Sequence, residues 1–249
     1  MSKNMSKKKR WLIGLGIFIG FLLILSIGVG SYLSDYYRAD GSVVETALQS
    51  TDQVTVSKID KNKIVFSPEH PTAGFIFYPG GKVEYEAYAP LMKKFAENGI
   101  LCVLVRMPGN LAVLNKNAAD GIKENYPEIT NWYIGGHSLG GAMAASYVSE
   151  HAQEYAGLIL LAAYSTSDLT DSGLQVVSVY GSKDEVLKMD SYENYRSNLP
   201  SDSIEHVIKG GCHAFFGCYG AQEGDGIPEI TNEEQIDQTV DTILKVMIE

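Results

Sequence analysis

The chain has 249 residues, 45% of them hydrophobic, with 20 Lys and Arg against 30 Asp and Glu and three cysteines. That length fits one large α/β domain or an ordinary domain with an appendage, and the unexceptional Gly and Pro contents exclude collagen-like and wholly disordered classes. A net charge of −10 argues against a nucleic-acid partner, which needs a basic face, and three cysteines are too few to build a fold on disulfides.

The N-terminus is a different kind of sequence from the rest. Residues 1–10 carry Lys3, Lys7, Lys8, Lys9 and Arg10 and no acid. Trp11 to Leu33 then run for 23 residues without a charge. As a helix this spans roughly 34 Å, enough to cross a hydrocarbon core of about 30 Å. The basic cluster predicts a cytoplasmic tail over 1–10, a single transmembrane anchor over 11–33 and everything beyond it outside the cell. Trp11 at one end and Tyr32, Tyr36 and Tyr37 at the other suit the two interfaces. The competing expectation is a secretory signal cut near Gly28, Gly30 and Ser31, although its apolar region is usually only about 7–15 residues. Without the five tail cations, 15 Lys and Arg face 30 acids. The remainder is therefore expected to be repelled by anionic lipid and held near the membrane by its anchor alone.

Residues 34–53 are polar with few apolar positions and read as a stalk, with one helical turn over 43–48. From Val54 the pattern changes. Alternating residues over 54–59 and 63–66, around Asp60-Lys61-Asn62, predict an antiparallel hairpin. Near-continuous apolar strands follow at 73–78, 100–106, 132–135, 157–162, 174–180 and 204–208. Amphipathic helical stretches follow or separate them at 85–98, 112–126, 140–155, 190–198 and 232–248. Such an alternation predicts an α/β fold, a doubly wound, mostly parallel sheet covered on both faces, over residues 54–249.

The sharpest local signal is Gly135-Gly136-His137-Ser138-Leu139-Gly140-Gly141, after an apolar strand and before an Ala-rich helix. A G-x-S-x-G in that context is a nucleophile elbow: the tight turn strains the serine backbone, so the residues two before and two after it must be small. The following helix points its first N–H groups at the site. The bland alternative is a Gly-rich strand–helix turn. No Gly-Lys-Ser/Thr follows, so a phosphate-binding loop is excluded, and no G-x-G-x-x-G opens the first unit. A serine hydroxyl needs a base, and the base needs an acid to set its tautomer. In the chain order Ser, acid, His, the strand ending at Tyr180 leads to Gly181-Ser182-Lys183-Asp184, and the strand ending at Ile208 leads to Gly210-Gly211-Cys212-His213. Ser138, Asp184 and His213 are the expected triad; Glu185, Asp168 and Asp171 are rivals for the acid. The other four histidines are poorly placed: His70 precedes the first parallel strand, His137 lies inside the elbow, His151 ends a helix and His206 is within a strand. The oxyanion donors are expected at the backbone N–H of Leu139 and, in the turn Pro79-Gly80-Gly81-Lys82, at that of Gly81, with Lys82 as the alternative.

With the Pro79–Gly81 turn, the Gly136–Gly140 elbow, the Gly181–Asp184 acid turn and the Gly211–His213 turn taken together, residues 63–249 resemble an α/β-hydrolase of the small dienelactone-hydrolase-like branch. The resemblance implies a Ser-His-Asp hydrolase without a cofactor. Two departures limit it. Dienelactone hydrolases use a cysteine nucleophile where this chain has Ser138, so their lactone substrate is not carried over. Pro79 stands where many relatives have His, which bears on the second oxyanion donor.

Between strand six and the acid-bearing strand lie only 11 residues, Ala163 to Gly173. That leaves no room for a helical cap, so an open, shallow site for exposed ester or related acyl groups is expected. Phe215, Phe216 and Tyr219 follow the histidine, and the first two are candidates for an acyl pocket. Asp225, in Gly224-Asp225-Gly226, reads as a turn residue. Cys102 reads as a core thiol, Cys212 and Cys218 are near enough in sequence to pair, and no spaced His/Cys/Asp set indicates a metal. The resulting expectation is a membrane-anchored serine esterase acting on a small-molecule ester. A catalytically silent hydrolase-fold binding module at the outer membrane face is the alternative.

Overall fold

The computed structural model describes residues 7–248; residues 1–6 of the expected basic tail lie outside them. Two compact units divide at Tyr36/Tyr37. The first is the helix α1 (Lys7–Ser34). Its window Ile17–Ser34 is long and apolar enough to cross a membrane, as a span or as a signal sequence would be.

The second unit begins at Tyr37, not at Val54. Its eight strands are β1 (Val54–Asp60), β2 (Lys63–Pro68), β3 (Ala73–Tyr78), β4 (Ile100–Val105), β5 (Trp132–His137), β6 (Gly157–Leu161), β7 (Gln175–Gly181) and β8 (Ile204–Ile208). They form one sheet in the order β1-β2-β4-β3-β5-β6-β7-β8. β1 and β2 are an antiparallel hairpin, β2 runs antiparallel to β4, and the remaining pairs are parallel. The alternation within each central strand explains why both faces are covered. Phe75 and Phe77 face one layer, with Phe66, Tyr88, Leu91, Phe95 and Ile243. Ile76 and Tyr78 face the other, with Leu101, Val103, Ile134, Val148 and Leu158. Helices α2 (Gly41–Ala47), α3 (Ala89–Glu97) and α6 (Asn232–Met247) supply the first layer; α4 (Leu139–His151) supplies the second, and α5 (Met189–Tyr195) follows β7.

Two sequence expectations fail here. Residues 37–53 are not a free stalk. Tyr37 N–H donates to Lys82 O (2.7 Å) and Tyr37 O accepts from Glu84 N (2.8 Å), while α2 buries Val44 and Ala47 in the core. Their spacing of three puts these apolar residues on one side of a short helix, a stripe that the polar composition conceals. Residues 112–126 are not a helix but a loop with separate 3₁₀ turns at Ala112–Leu114 and Lys123–Asn125. The Tyr78 hydroxyl donates to Lys116 O (2.7 Å) and accepts from Ala119 N (2.8 Å), which withdraws those backbone groups from a helical ladder. Gly121 has φ +72°, which also interrupts helical geometry. The apolar positions that mimicked a helical stripe, Ala118, Ala119 and Ile122, are buried as loop anchors.

Candidate active site

Ser138 lies between the last residue of β5 and the first of α4 with φ 52° and ψ −122°. For a residue with a Cβ this is strained backbone, held only because its surroundings over-determine it. Ser138 N still donates to Leu161 O of β6 (2.9 Å), so the turn is fastened to the sheet. The glycines are sterically required: a Cβ on Gly136 or Gly140 would run into the Tyr78 carbonyl oxygen, and one on Gly140 would also meet Pro79 O. Ser138 itself remains partly exposed, at the N-terminus of a 13-residue helix.

Asp184 and His213 are brought together. His213 Nδ1 and Asp184 Oδ2 are 2.8 Å apart, and their side chains are only 2% and 1% exposed. The second carboxylate oxygen, Oδ1, accepts from the N–H groups of Val186 (2.9 Å) and Leu187 (2.8 Å). The carboxylate therefore cannot rotate without breaking two bonds, which fixes the ring it holds. The two supporting turns are laced together: Ser182 N donates to Ile208 O (2.9 Å), and Lys183 N donates to Gly211 O (2.8 Å). A Cβ on Gly181 would collide with the Gly211 carbonyl, so these turns approach at backbone contact. The rivals are elsewhere: Asp168 accepts from its own loop at Thr170, Glu185 is exposed, and Asp171 lies in an exposed stretch of the β6–β7 loop. His213 reaches the elbow through His137, whose ring centroid lies 4.5 Å from its own.

Of the three N–H groups in the turn Gly80–Lys82, two are engaged. Gly80 N donates to Tyr88 Oη (3.1 Å), and Lys82 N donates to Asn110 O (2.8 Å), which removes Lys82 as the alternative donor. Gly81 N has no protein acceptor among the described residues. Gly81 lies against Leu139: a Cβ built on it would sit 3.0 Å from Leu139 Cδ2. As the first residue of α4, Leu139 has an N–H without an intrahelical acceptor. Two unspent donors thus flank the strained serine.

Four residues that sequence reasoning missed or misread support this arrangement. Asp225 is more than a turn residue: its carboxylate accepts from His213 N (3.1 Å), Ala214 N (2.8 Å) and Gly226 N (2.8 Å). Gln235, fully buried on α6, donates to Cys212 O (2.8 Å) and accepts from Cys212 N (2.9 Å). A glutamine on the apolar face of α6, beside Ile236, Thr239 and Val240, was the available signal. Tyr88 Oη lies 2.8 Å from His137 Nδ1 and accepts from Gly80 N, so one hydroxyl ties the turn after β3 to the elbow. Burial, and then the adjacent His213, hold the His137 imidazole well below its ordinary range and keep it neutral.

The two phenylalanines expected to line an acyl pocket are placed differently from one another. Phe216 is fully buried with its ring 5.5 Å from His137. Phe215 lines a separate groove of about 490 Å³ with Pro90, Lys94 and Ile236, to which neither Ser138 nor His213 contributes. Both rings pack in the layer that α6 covers. Cys212 and Cys218 are free buried thiols, both pushed up to about 12, mainly by burial. Cys218 Sγ bonds Asn232 Oδ1 (2.9 Å) instead of a second sulfur. The β6–β7 connection carries no helix over 163–173 and is tied down by Asn198, which bonds Ser165 O (3.0 Å) and accepts from Leu169 N (2.7 Å).

No curated protein sequence matches the chain. Among solved structures, a predicted CIB-like hydrolase from Thermoplasma acidophilum is similar at 18% identity and TM-score 0.56, covering 77% of this chain and 98% of that one. Est1E from Butyrivibrio proteoclasticus is similar at 13% identity and TM-score 0.57, covering 80% and 100%. Carboxyl esterase 2 from Tuber melanosporum is similar at 11% identity and TM-score 0.57, covering 86% and 91%. At these identities the likeness shows the fold. The model of the alpha/beta hydrolase family matches residues 74–237, which run from β3 through the elbow and both supporting turns into α6. With that match over most of its length, the chain belongs to the alpha/beta hydrolase family.

Proposed function

We propose that this chain is a membrane-anchored serine hydrolase that cleaves a carboxylic ester through an acyl-enzyme. The observation that carries the reading is the 2.8 Å bond between His213 and Asp184, with the His213 ring 4.5 Å from that of His137, the residue before a serine held at positive φ. With its Nδ1–H given to Asp184, His213 keeps the lone pair of Nε2 for the Ser138 hydroxyl. Ser138 Oγ attacks the ester carbonyl as its proton passes to Nε2, and the N–H groups of Gly81 and Leu139 receive the oxyanion. The tetrahedral adduct collapses as the alcohol leaves with the proton from His213. Water, deprotonated by the same nitrogen, then releases the acid and returns the serine proton. Neutral His137 keeps a second positive charge away from the imidazolium formed in each half-reaction.

Fold likeness to a protein named as a carboxyl esterase supports an ester over an amide. The anchor reading rests on the apolar helix and the basic residues before it. It puts the catalytic unit on the outer face of the membrane. The chemistry is tested with a fluorophosphonate probe on the full-length chain. Strong labelling of the native protein and none of Ser138→Ala is expected; equal labelling of the two would refute it. Recovery of mature protein lacking residues 1–33 would refute the anchor and favour secretion.

A further inference from the structure

Three features that the hydrolytic reading does not use fall on one edge of the sheet, the carboxyl edge that carries the elbow, the acid turn and the histidine loop. The first is a tether. Only Asp35 and Tyr36 separate Ser34, which ends the apolar helix, from Tyr37. Tyr37 is stitched to the rim of the site by its bonds to Lys82 and Glu84 on the oxyanion side. On the histidine side, its hydroxyl accepts from Glu223 N (3.0 Å) and Asp40 N donates to Cys218 O (2.8 Å). Three residues of backbone reach at most about 11 Å. On the anchor reading, the lipid-embedded helix and Tyr37 are joined by no more than that length of chain.

The second feature is exposed apolar surface. Val113 and Leu114 are 57% and 56% exposed, in the loop that leaves β4 and bonds the oxyanion turn through Asn110. Ile227 is 87% exposed, two residues beyond the Asp225 carboxylate that holds the histidine loop. Large apolar side chains on both flanks of one opening are costly in water and favourable at an interface. The third feature is charge. A groove of about 310 Å³ at the same edge is lined by Lys61, Lys63, Arg106 and Asn115. Lys63 stands opposite Val105, so the β1–β2 turn lies at the carboxyl end of β4. Lys63 pairs with Asp60 (3.1 Å), and Lys61 and Arg106 give the groove its local positive charge in an acidic domain. Charges farther away than about 8 Å are largely screened at physiological salt, so the patch, not the net charge, governs what the rim meets.

We propose that this rim is a lipid-docking face for anionic headgroups, and that the ester delivered to Ser138 is carried by a membrane constituent whose acyl chain stays in the bilayer. The second half rests on the hydrolase reading. The β6–β7 connection, which carries no helical cap, fits it: no tunnel is needed for a chain that never leaves the lipid. The occupant is a bilayer surface because the tether already places one within reach, and because cations beside exposed aliphatic side chains match a headgroup layer over acyl carbon.

The test uses the full-length chain in vesicles of phosphatidylglycerol and phosphatidylcholine, with a bimane label on Leu114→Cys, Ile227→Cys or, at the opposite edge of the sheet, Ile204→Cys. Brominated lipid is expected to quench the first two strongly and the third not at all. The double change Lys61→Gln and Arg106→Gln is expected to lower hydrolysis of a vesicle-borne acyl ester by about fivefold per cation removed, while leaving hydrolysis of soluble p-nitrophenyl acetate unchanged. Equal quenching at all three sites, or none at Leu114→Cys and Ile227→Cys, would overturn the docking face. Self-association through those residues in place of quenching would also overturn it, assigning the rim to a second copy. A chain that is quenched as expected but hydrolyses neither ester would overturn the hydrolase reading and leave the docking face standing.

Discussion

The acid of the proposed triad gives the sharpest single test, because replacing Asp184 by Asn changes one atom and reverses one hydrogen bond. In the native site Oδ1 faces two N–H donors, Val186 and Leu187, and Oδ2 faces His213 Nδ1. An asparagine must choose which position its NH₂ occupies. Turning it toward Val186 and Leu187 would set donors against two buried donors, at about 1–3 kcal/mol for each group left unsatisfied. The amide oxygen therefore stays on the backbone side, and the NH₂ points at His213 Nδ1. The imidazole can meet it only by accepting there, which places its proton on Nε2, the nitrogen proposed to serve Ser138. The base is then in the wrong tautomer at every pH where it is neutral. The expected loss is about 10⁴ in kcat, equivalent to about 5 kcal/mol of barrier, with KM nearly unchanged. The fold is retained, since the backbone bonds survive and only their charge-assisted part is lost. The assay is p-nitrophenyl acetate hydrolysis by the full-length chain, with a thermal melt to show that the variant is folded. A folded Asp184→Asn protein keeping more than about a tenth of native kcat would show that Asp184 does not orient His213, and the proposed relay would fall.

Three further outcomes follow from the same geometry. Because the fold holds His137 well below the ordinary 6.5, the unfolded chain takes up a proton that the folded one refuses. Stability is then complete above about pH 6.5 and falls as pH drops toward the folded value, by up to about 1.4 kcal/mol per unit. His137→Gln, which keeps an acceptor for Tyr88, is expected to flatten that slope in urea titrations, and an unchanged slope would count against the assignment. Asp225→Ala frees the N–H groups of His213, Ala214 and Gly226. It is expected to lower kcat about 10- to 100-fold, with faster amide exchange at residues 213–216; native exchange there would refute the role. Cutting the chain before Val54, where composition alone ends the stalk, removes the buried Val44 and Ala47. The melting temperature should fall by several degrees for the roughly 2 kcal/mol of burial lost, whereas a chain cut before Tyr37 should melt as the intact unit does.

The strand order of the motifs was readable because each rests on local chemistry. G-x-S-x-G demands small residues around a strained turn, and Gly181–Asp184 and Gly211–His213 mark strand ends with glycines where two backbones touch. Six apolar runs separated by helical stretches were enough for a parallel sheet, and the hairpin announced itself by alternation around Asp60-Lys61-Asn62. What misled was surface resemblance to a period. Residues 112–126 have helical spacing, yet Tyr78, from a strand more than thirty residues away, takes the backbone groups a helix would use. Residues 37–53 look like a polar linker because only Val44 and Ala47 need burial, and their partners come from distant segments.

The sequence by itself determined the fold class and which turns carry the candidate serine, acid and histidine, since both follow from short-range patterning and from what each turn can sterically accept. It could not tell which glycine N–H stays free, that Phe216 packs beside His137, or that Asp225 and Gln235 grip the histidine loop. Nor could it show that the segment after the apolar helix is sewn to the rim of the site. Those are pairings between groups far apart along the chain. Their existence depends on which polar atoms are left unsatisfied once the sheet has closed, and only the folded structure decides that.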